Sequence, residues 1–195
     1  MARPRTVTDE DIHSAARDVF VARGPGASVS LIAEKLGVSH AALFGRVGTK
    51  EQLMLGALCP GRPPALDRLI VPSTCERARE VLVEILTELM TFFQRVVPNL
   101  VILRAAGKSM ADLPPREEAP PPVALRWALA RFLERASDAG ALPPMRSWAI
   151  AEGLLGAMEA RCFNGYLGGG AFAPGPDDAF VRELVDGLLP LPRSP

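Results

Sequence analysis

The sequence predicts an all-α protein of about nine helices. Three observations lead there. Ala and Leu are the commonest of the 195 residues, with Arg and Glu well represented, and all four are good helix formers. Apolar residues recur at three- and four-residue spacing, which puts them on one helical face. Between these runs stand Ser, Thr, Gly and Pro in the places where helices start and stop.

The first helix opens at Thr8, a good N-cap, followed by Asp9, Glu10 and Asp11 at the positive end of the helix dipole. Ile12, Ala15, Ala16, Val19 and Phe20 form its apolar face, and Gly24 and Gly26 end it. Ser28 caps a second helix carrying Leu31, Ile32, Ala33 and Leu36, which stops at Gly37. Ser39 caps a short third helix through about Gly45. Thr49-Lys-Glu-Gln52 is a capping box that opens a fourth, with Leu53, Met54, Ala57 and Leu58. Pro60 to Pro64 marks a break, placing a domain boundary there: 1–58 and 59–195.

Beyond the boundary, a weak helical piece from Ala65 to Ile70 is expected to continue the fourth helix. After Pro72-Ser73-Thr74 a long helix runs to about Val97. Pro98 suits the first position of another short helix, 99–106. The Pro-rich stretch 111–122 reads as a loop. A helix follows with Leu125, Trp127, Leu129, Phe132 and Leu133, then one over about 146–167, and a last one opening at Asp177 or Asp178.

Bulk properties exclude several classes. The net charge is +0, which argues against a protein that coats nucleic acid by charge alone. Cys59, Cys75 and Cys162 are widely spaced and form no CxxC, as expected of free thiols in a reducing, cytoplasmic setting. No stretch reaches 18 apolar residues, so no transmembrane helix is expected. The only histidines are His13 and His40, too few for a histidine-rich metal site or a Ser-His-Asp triad. No cofactor or metal is implied, and an enzyme is not expected: Cys162, the one nucleophile of interest in the second module, has no histidine there to activate it.

The second helix, a glycine-ended turn and the short third helix make a helix-turn-helix arrangement. Its second helix enters the major groove, where small residues let the backbone approach base edges and thymine methyl groups. Ala41 and Ala42 suit such contacts, while Ser39, His40 and Arg46 supply polar groups. Lys50 and the free amides opening the fourth helix suit phosphate. The full DNA-facing set is Ser28, Ser39, His40, Ala41, Ala42, Phe44, Gly45, Arg46 and Lys50.

Ala15, Ala16 and Phe20 with Gly24, then "SVSLIAEKLGVSHAALFGRVGTKEQL", resemble the N-terminal domain of the tetracycline-repressor (TetR) family of bacterial regulators. The resemblance implies a homodimeric, ligand-responsive transcription factor, most simply a repressor, with one third helix in each half of a pseudo-palindromic operator. Measured against the family, Ala42 stands for a usual Thr, Phe44 for Tyr, Gly45 for a polar residue and Val47 for Phe. Two phosphate-binding hydroxyls are lost per subunit. At roughly 1 kcal/mol each, that is about 4 kcal/mol per dimer, or roughly a thousandfold in affinity unless Arg46 compensates. Residues 1–59 also carry only seven Lys/Arg against six Asp/Glu. A relative with weakened DNA binding, acting as a ligand- or protein-binding dimer, is therefore the alternative.

The second module resembles the family's ligand-binding and dimerisation domain in helix order and length. Its 146–167 helix carries a small stripe, Ala149, Gly153, Gly156, Ala157 and Ala160, which invites close helix approach. With Phe180, Val181, Leu184, Val185 and Leu188 of the last helix, this stripe is the expected dimer interface. A pocket among the long helices is expected from Met90, Phe93, Leu103, Trp127, Leu129, Met158 and Phe163, an apolar lining that suits a hydrophobic or aromatic effector.

Overall fold

A computed structural model describes residues 7–63, 65–70, 77–109, 112, 121–168 and 171–189. Among these every regular element is helical: α1 (Asp9–Arg23), α2 (Val29–Leu36), α3 (His40–Val47), α4 (Lys50–Leu58), α5 (Leu66–Ile70), α6 (Ala78–Ala105), α7 (Pro121–Asp138), α8 (Ser147–Gly168) and α9 (Asp177–Leu188). Cys75, the 72–74 turn and the middle of the Pro-rich stretch lie outside the described residues. The chain divides into two units, Met1–Pro60 with Pro98–Pro115, and Gly61–Val97 with Arg116–Pro195.

In the first unit the helix starts follow from local chemistry. Thr8 Oγ1 accepts from the Asp11 amide at 3.1 Å, and the Asp11 carboxylate accepts from the Thr8 amide at 2.9 Å, a reciprocal cap. Thr49 and Gln52 repeat the device on α4. Ser28 and Ser39 cap α2 and α3 by accepting from the amides of Ser30 and Ala42. Gly37 ends α2 in the left-handed region, φ 66° and ψ 28°, which lets the Val38 amide bond back to Ala33 O at 3.0 Å. Phe20, Ile32, Leu43, Leu53 and Leu58 fill the core, and Ile102 and Leu103 belong to it as well.

The third helix runs two residues past Gly45. Glycine inside a helix costs about 1 kcal/mol against alanine. The extra turn is held because Val47 packs against the core and Gly48 stops the helix at φ 74°, ψ −95°, a conformation suited to glycine.

The second unit buries Leu82, Ile85, Leu86 and Leu89 of α6, Leu129, Phe132 and Leu133 of α7, Leu154, Leu155 and Met158 of α8, and Val181 and Val185 of α9. Arg126 ties α7 to α8 through Glu152 at 3.0 Å and Glu159 at 3.1 Å. Arg135 ties α7 to α5 by donating to Leu69 O at 2.6 Å.

Two differences from the sequence reading stand out. A separate helix, α5, follows the break after α4. And α6 does not stop at Val97: it runs through Pro98, which lies inside the helix. Proline fixes a helix-compatible φ and forfeits one hydrogen bond, at about 3 kcal/mol in a helix interior. Buried Val96, Val97, Ile102 and Leu103 on either side offset that cost. By length and composition α6 is also apolar enough to cross a membrane, where the sequence reading expects no such helix; just over half of its most apolar window, 56 %, is buried within the fold.

Candidate nucleic-acid interface

Helix α3 is anchored by one fully buried side chain, Leu43, which is 1 % exposed. Around the rest of the helix His40, Ala41, Ala42, Gly45 and Arg46 are exposed. A Cβ built on Gly45 meets nothing within 4 Å, so the chain's own packing does not demand glycine there. The outer face of α3 is therefore low and open, a shape that admits close approach by another molecule.

Polar groups around that face are partly occupied. Ser28 and Ser39 are exposed but serve as caps. Phe44 is half-buried against the core, and the His40 ring packs on it with centroids 4.5 Å apart. The Arg46 guanidinium donates to Val7 O at 2.5 Å and pairs with Asp9. Lys50, half-buried at the start of α4, has no ion pair among the described residues. Its neighbour Glu51 accepts from Lys108, whose ammonium is held above the usual lysine range by that hydrogen bond. Elsewhere Lys35 pairs with Asp18 at 2.6 Å, and Arg17 donates to Ala57 O at 3.0 Å. His13 is half-buried against Gly56, where an added Cβ would come within 2.8 Å of its Nε2.

The structure thus brings the nine sequence-predicted interface residues onto α3 and the two flanking helix starts. Sequence reasoning missed the Arg46–Asp9 pair, whose members lie 37 residues apart. The His40–Phe44 contact was readable, since residues four apart are helical neighbours.

The expected ligand pocket does not assemble as a set. Met90, Phe93, Leu129 and Met158 are buried in the second unit, but Leu103 belongs to the core of the first. Trp127 is 58 % exposed and packs on Trp148 at 4.9 Å, and Phe163 is 42 % exposed. Helical spacing identified apolar faces without telling which of them meet. Cys162 lies buried with Sγ 3.4 Å from Met90 Sδ, and burial pushes its thiol up to about 11. It stays protonated at neutral pH, which makes it a poor nucleophile. Among the described residues no group of His, Cys, Asp or Glu side chains is placed to hold a metal.

The predicted dimer surface is split as well. Val181 and Val185 are 0 % exposed and fill the unit's own core, so they are not available to a partner. Phe180, Leu184 and Leu188 are half-buried. On α8, Ala149, Gly153 and Ala160 are exposed, and Gly156 and Ala157 half-buried.

Residues 12–57 match the model of the bacterial regulatory proteins of the tetR family. Among curated proteins none matches this sequence. Similar solved structures include the TetR family regulator PfmR from Thermus thermophilus, 22 % identical with a TM-score of 0.66 over 97 % of this chain and all of that one. The fatty acid degradation regulator FadR from Bacillus halodurans is 14 % identical, with a TM-score of 0.63 over 97 % of this chain and 96 % of that one. SmeT, solved as a complex with triclosan, is 15 % identical, with a TM-score of 0.62 over 97 % of both chains. An open-faced helix-turn-helix, the family match on it and the shared fold agree: residues 12–57 carry the N-terminal module of the tetR family of bacterial regulatory proteins, and the chain as a whole has the fold of these solved regulators.

Proposed function

We propose that this protein is a homodimeric, ligand-responsive DNA-binding transcriptional regulator, a repressor released by a small apolar effector. The observation that carries the reading is the exposed face of α3, with Ala41, Ala42 and open space over Gly45. Two such helices, one per subunit, reach successive major-groove faces about 34 Å apart. The effector is assigned to the second unit, by analogy with SmeT and its small-molecule complex. Binding there weakens DNA binding, and DNA weakens effector binding by the same factor.

The test is footprinting over the gene's own upstream region at low and moderate salt. A protected pseudo-palindrome is expected, with affinity rising in Phe44→Tyr and Ala42→Thr variants. No protected site at micromolar protein, and no gain in the variants, favours the relative with lost DNA binding. That second reading draws on Phe44 and Arg46 both being engaged within the chain.

Dimerisation is assigned to the outer faces of α8 and α9. A Cβ on Gly156 meets nothing within 4 Å, and one on Gly153 meets only Leu188, at an ordinary 3.5 Å. Packing within the chain therefore does not select glycine at either place, while an approaching helix does. Along the same face, exposed Phe163 and Leu167 follow the small residues. An antiparallel mate centred on Met158 sets Phe163 over Gly153 and Leu167 over Ala149. Gly153→Trp is expected to yield monomers by sedimentation with the helical spectrum retained; a dimer of unchanged affinity would remove α8 from the interface.

A further inference from the structure

We propose that Asp9 is a built-in brake on DNA affinity, because its carboxylate occupies the Arg46 guanidinium that would otherwise meet a phosphate. The inference rests on the DNA-binding reading. Arg46 lies four residues after Ala42, on the exposed side of α3, with its side chain 41 % exposed. A carboxylate and a phosphate present the same acceptor geometry to an arginine fork, so one excludes the other.

Asp9 is free to play this part. The cap of α1 is made by Thr8 and Asp11, so Asp9 is not needed for it. Its side chain is 80 % exposed, where an ion pair is weak and salt-sensitive. Val7 O is the second acceptor of Arg46 and holds the guanidinium beside the start of α1. Glu10, next in sequence, has no cation partner among the described residues and serves as the matched control.

The experiment measures binding of the full chain to a fluorescein-labelled random-sequence duplex, since phosphate contacts need no operator. Affinity is followed over roughly 50 to 200 mM salt. Asp9→Asn is expected to tighten binding about tenfold per dimer at the low end. It should also steepen the slope of log K against log salt by about 1.8, which is about 0.9 for each of two freed arginines. Glu10→Gln should leave the slope unchanged, and Asp9→Asn in an Arg46→Ala background should be silent. Asp9→Ser supplies a second variant should Asn perturb the helix start. Equal slopes for Asp9→Asn and Glu10→Gln overturn the proposal, as does an Asp9→Asn effect that survives without Arg46. If wild type and every variant leave the duplex unbound at low salt, the DNA-binding reading falls, and this proposal with it.

Discussion

Leu43→Ala is expected to destabilise the first unit by about 3 kcal/mol and to reduce DNA binding by more than that loss implies. The transfer and cavity costs of a buried leucine set the figure. The disproportion comes from α3 itself. Its eight residues make barely two turns, too few to hold as a helix without packing. Leu43 is its only buried side chain, and Phe44 and Val47 are partial anchors. With Leu43 gone, α3 frays while α1, α2 and α4 keep their cores. Chemical denaturation gives the global cost, and hydrogen exchange of the amides of residues 43–47 gives the local one. Exchange that remains as slow as in the rest of the unit would show that Leu43 is not the anchor.

Arg161→Ala is expected to cost the second unit about 2 kcal/mol, lowering the melting midpoint by about 4–8 °C for a chain of this length. The side chain is 9 % exposed and uses its whole fork. Nε donates to Asp177 Oδ1 at 2.7 Å, Nη1 to Pro174 O at 3.0 Å and Nη2 to Gly175 O at 2.7 Å. The guanidinium also sits 4.6 Å from the Phe180 ring centroid. Removing it takes the cation from Asp177 Oδ1, while Oδ2 keeps the Gln94 amide, and frees the Pro174 and Gly175 carbonyls at the start of α9. Lysine restores the charge but cannot form three divergent bonds from one plane, so Arg161→Lys is expected to recover less than half of the loss. Thermal melts of the three proteins decide. A loss below about 1 kcal/mol would reduce the cluster to an ordinary surface pair. If the α9 face takes part in dimerisation, the same variant should also weaken association.

Much of the first unit was legible because its signals are local. Thr8, Ser28, Ser39 and Thr49 cap the helices they precede, and each cap involves residues two or three positions apart. Gly37 marks a turn that favours a residue without a side chain. The second unit was less legible, since its apolar faces are wide. Periodicity placed Val181 and Val185 on the same helical face as Leu184, and only the tertiary packing decided which of them is fully covered. Trp127 fits a core pattern and yet lies on the surface with Trp148. Pro98 reads as a helix start from its own chemistry, while burial on both sides of it carries the helix through. The Arg46–Asp9 pair has no local signature at all.

The split composition of the first unit bears on how such a chain is cut and recombined. Residues 1–60 do not by themselves hold its hydrophobic core, because Ile102 and Leu103, 6 % and 3 % exposed, are supplied from the far end of α6. A fragment ending at Pro60 bares the surface that these side chains cover. Grafting this unit onto another protein at a single junction therefore leaves it with a donor helix it did not evolve against. Exchange between relatives has to carry the last two turns of α6 along with residues 1–60, so the seam between the two units is interlaced in sequence, and the order of the chain resists modular shuffling.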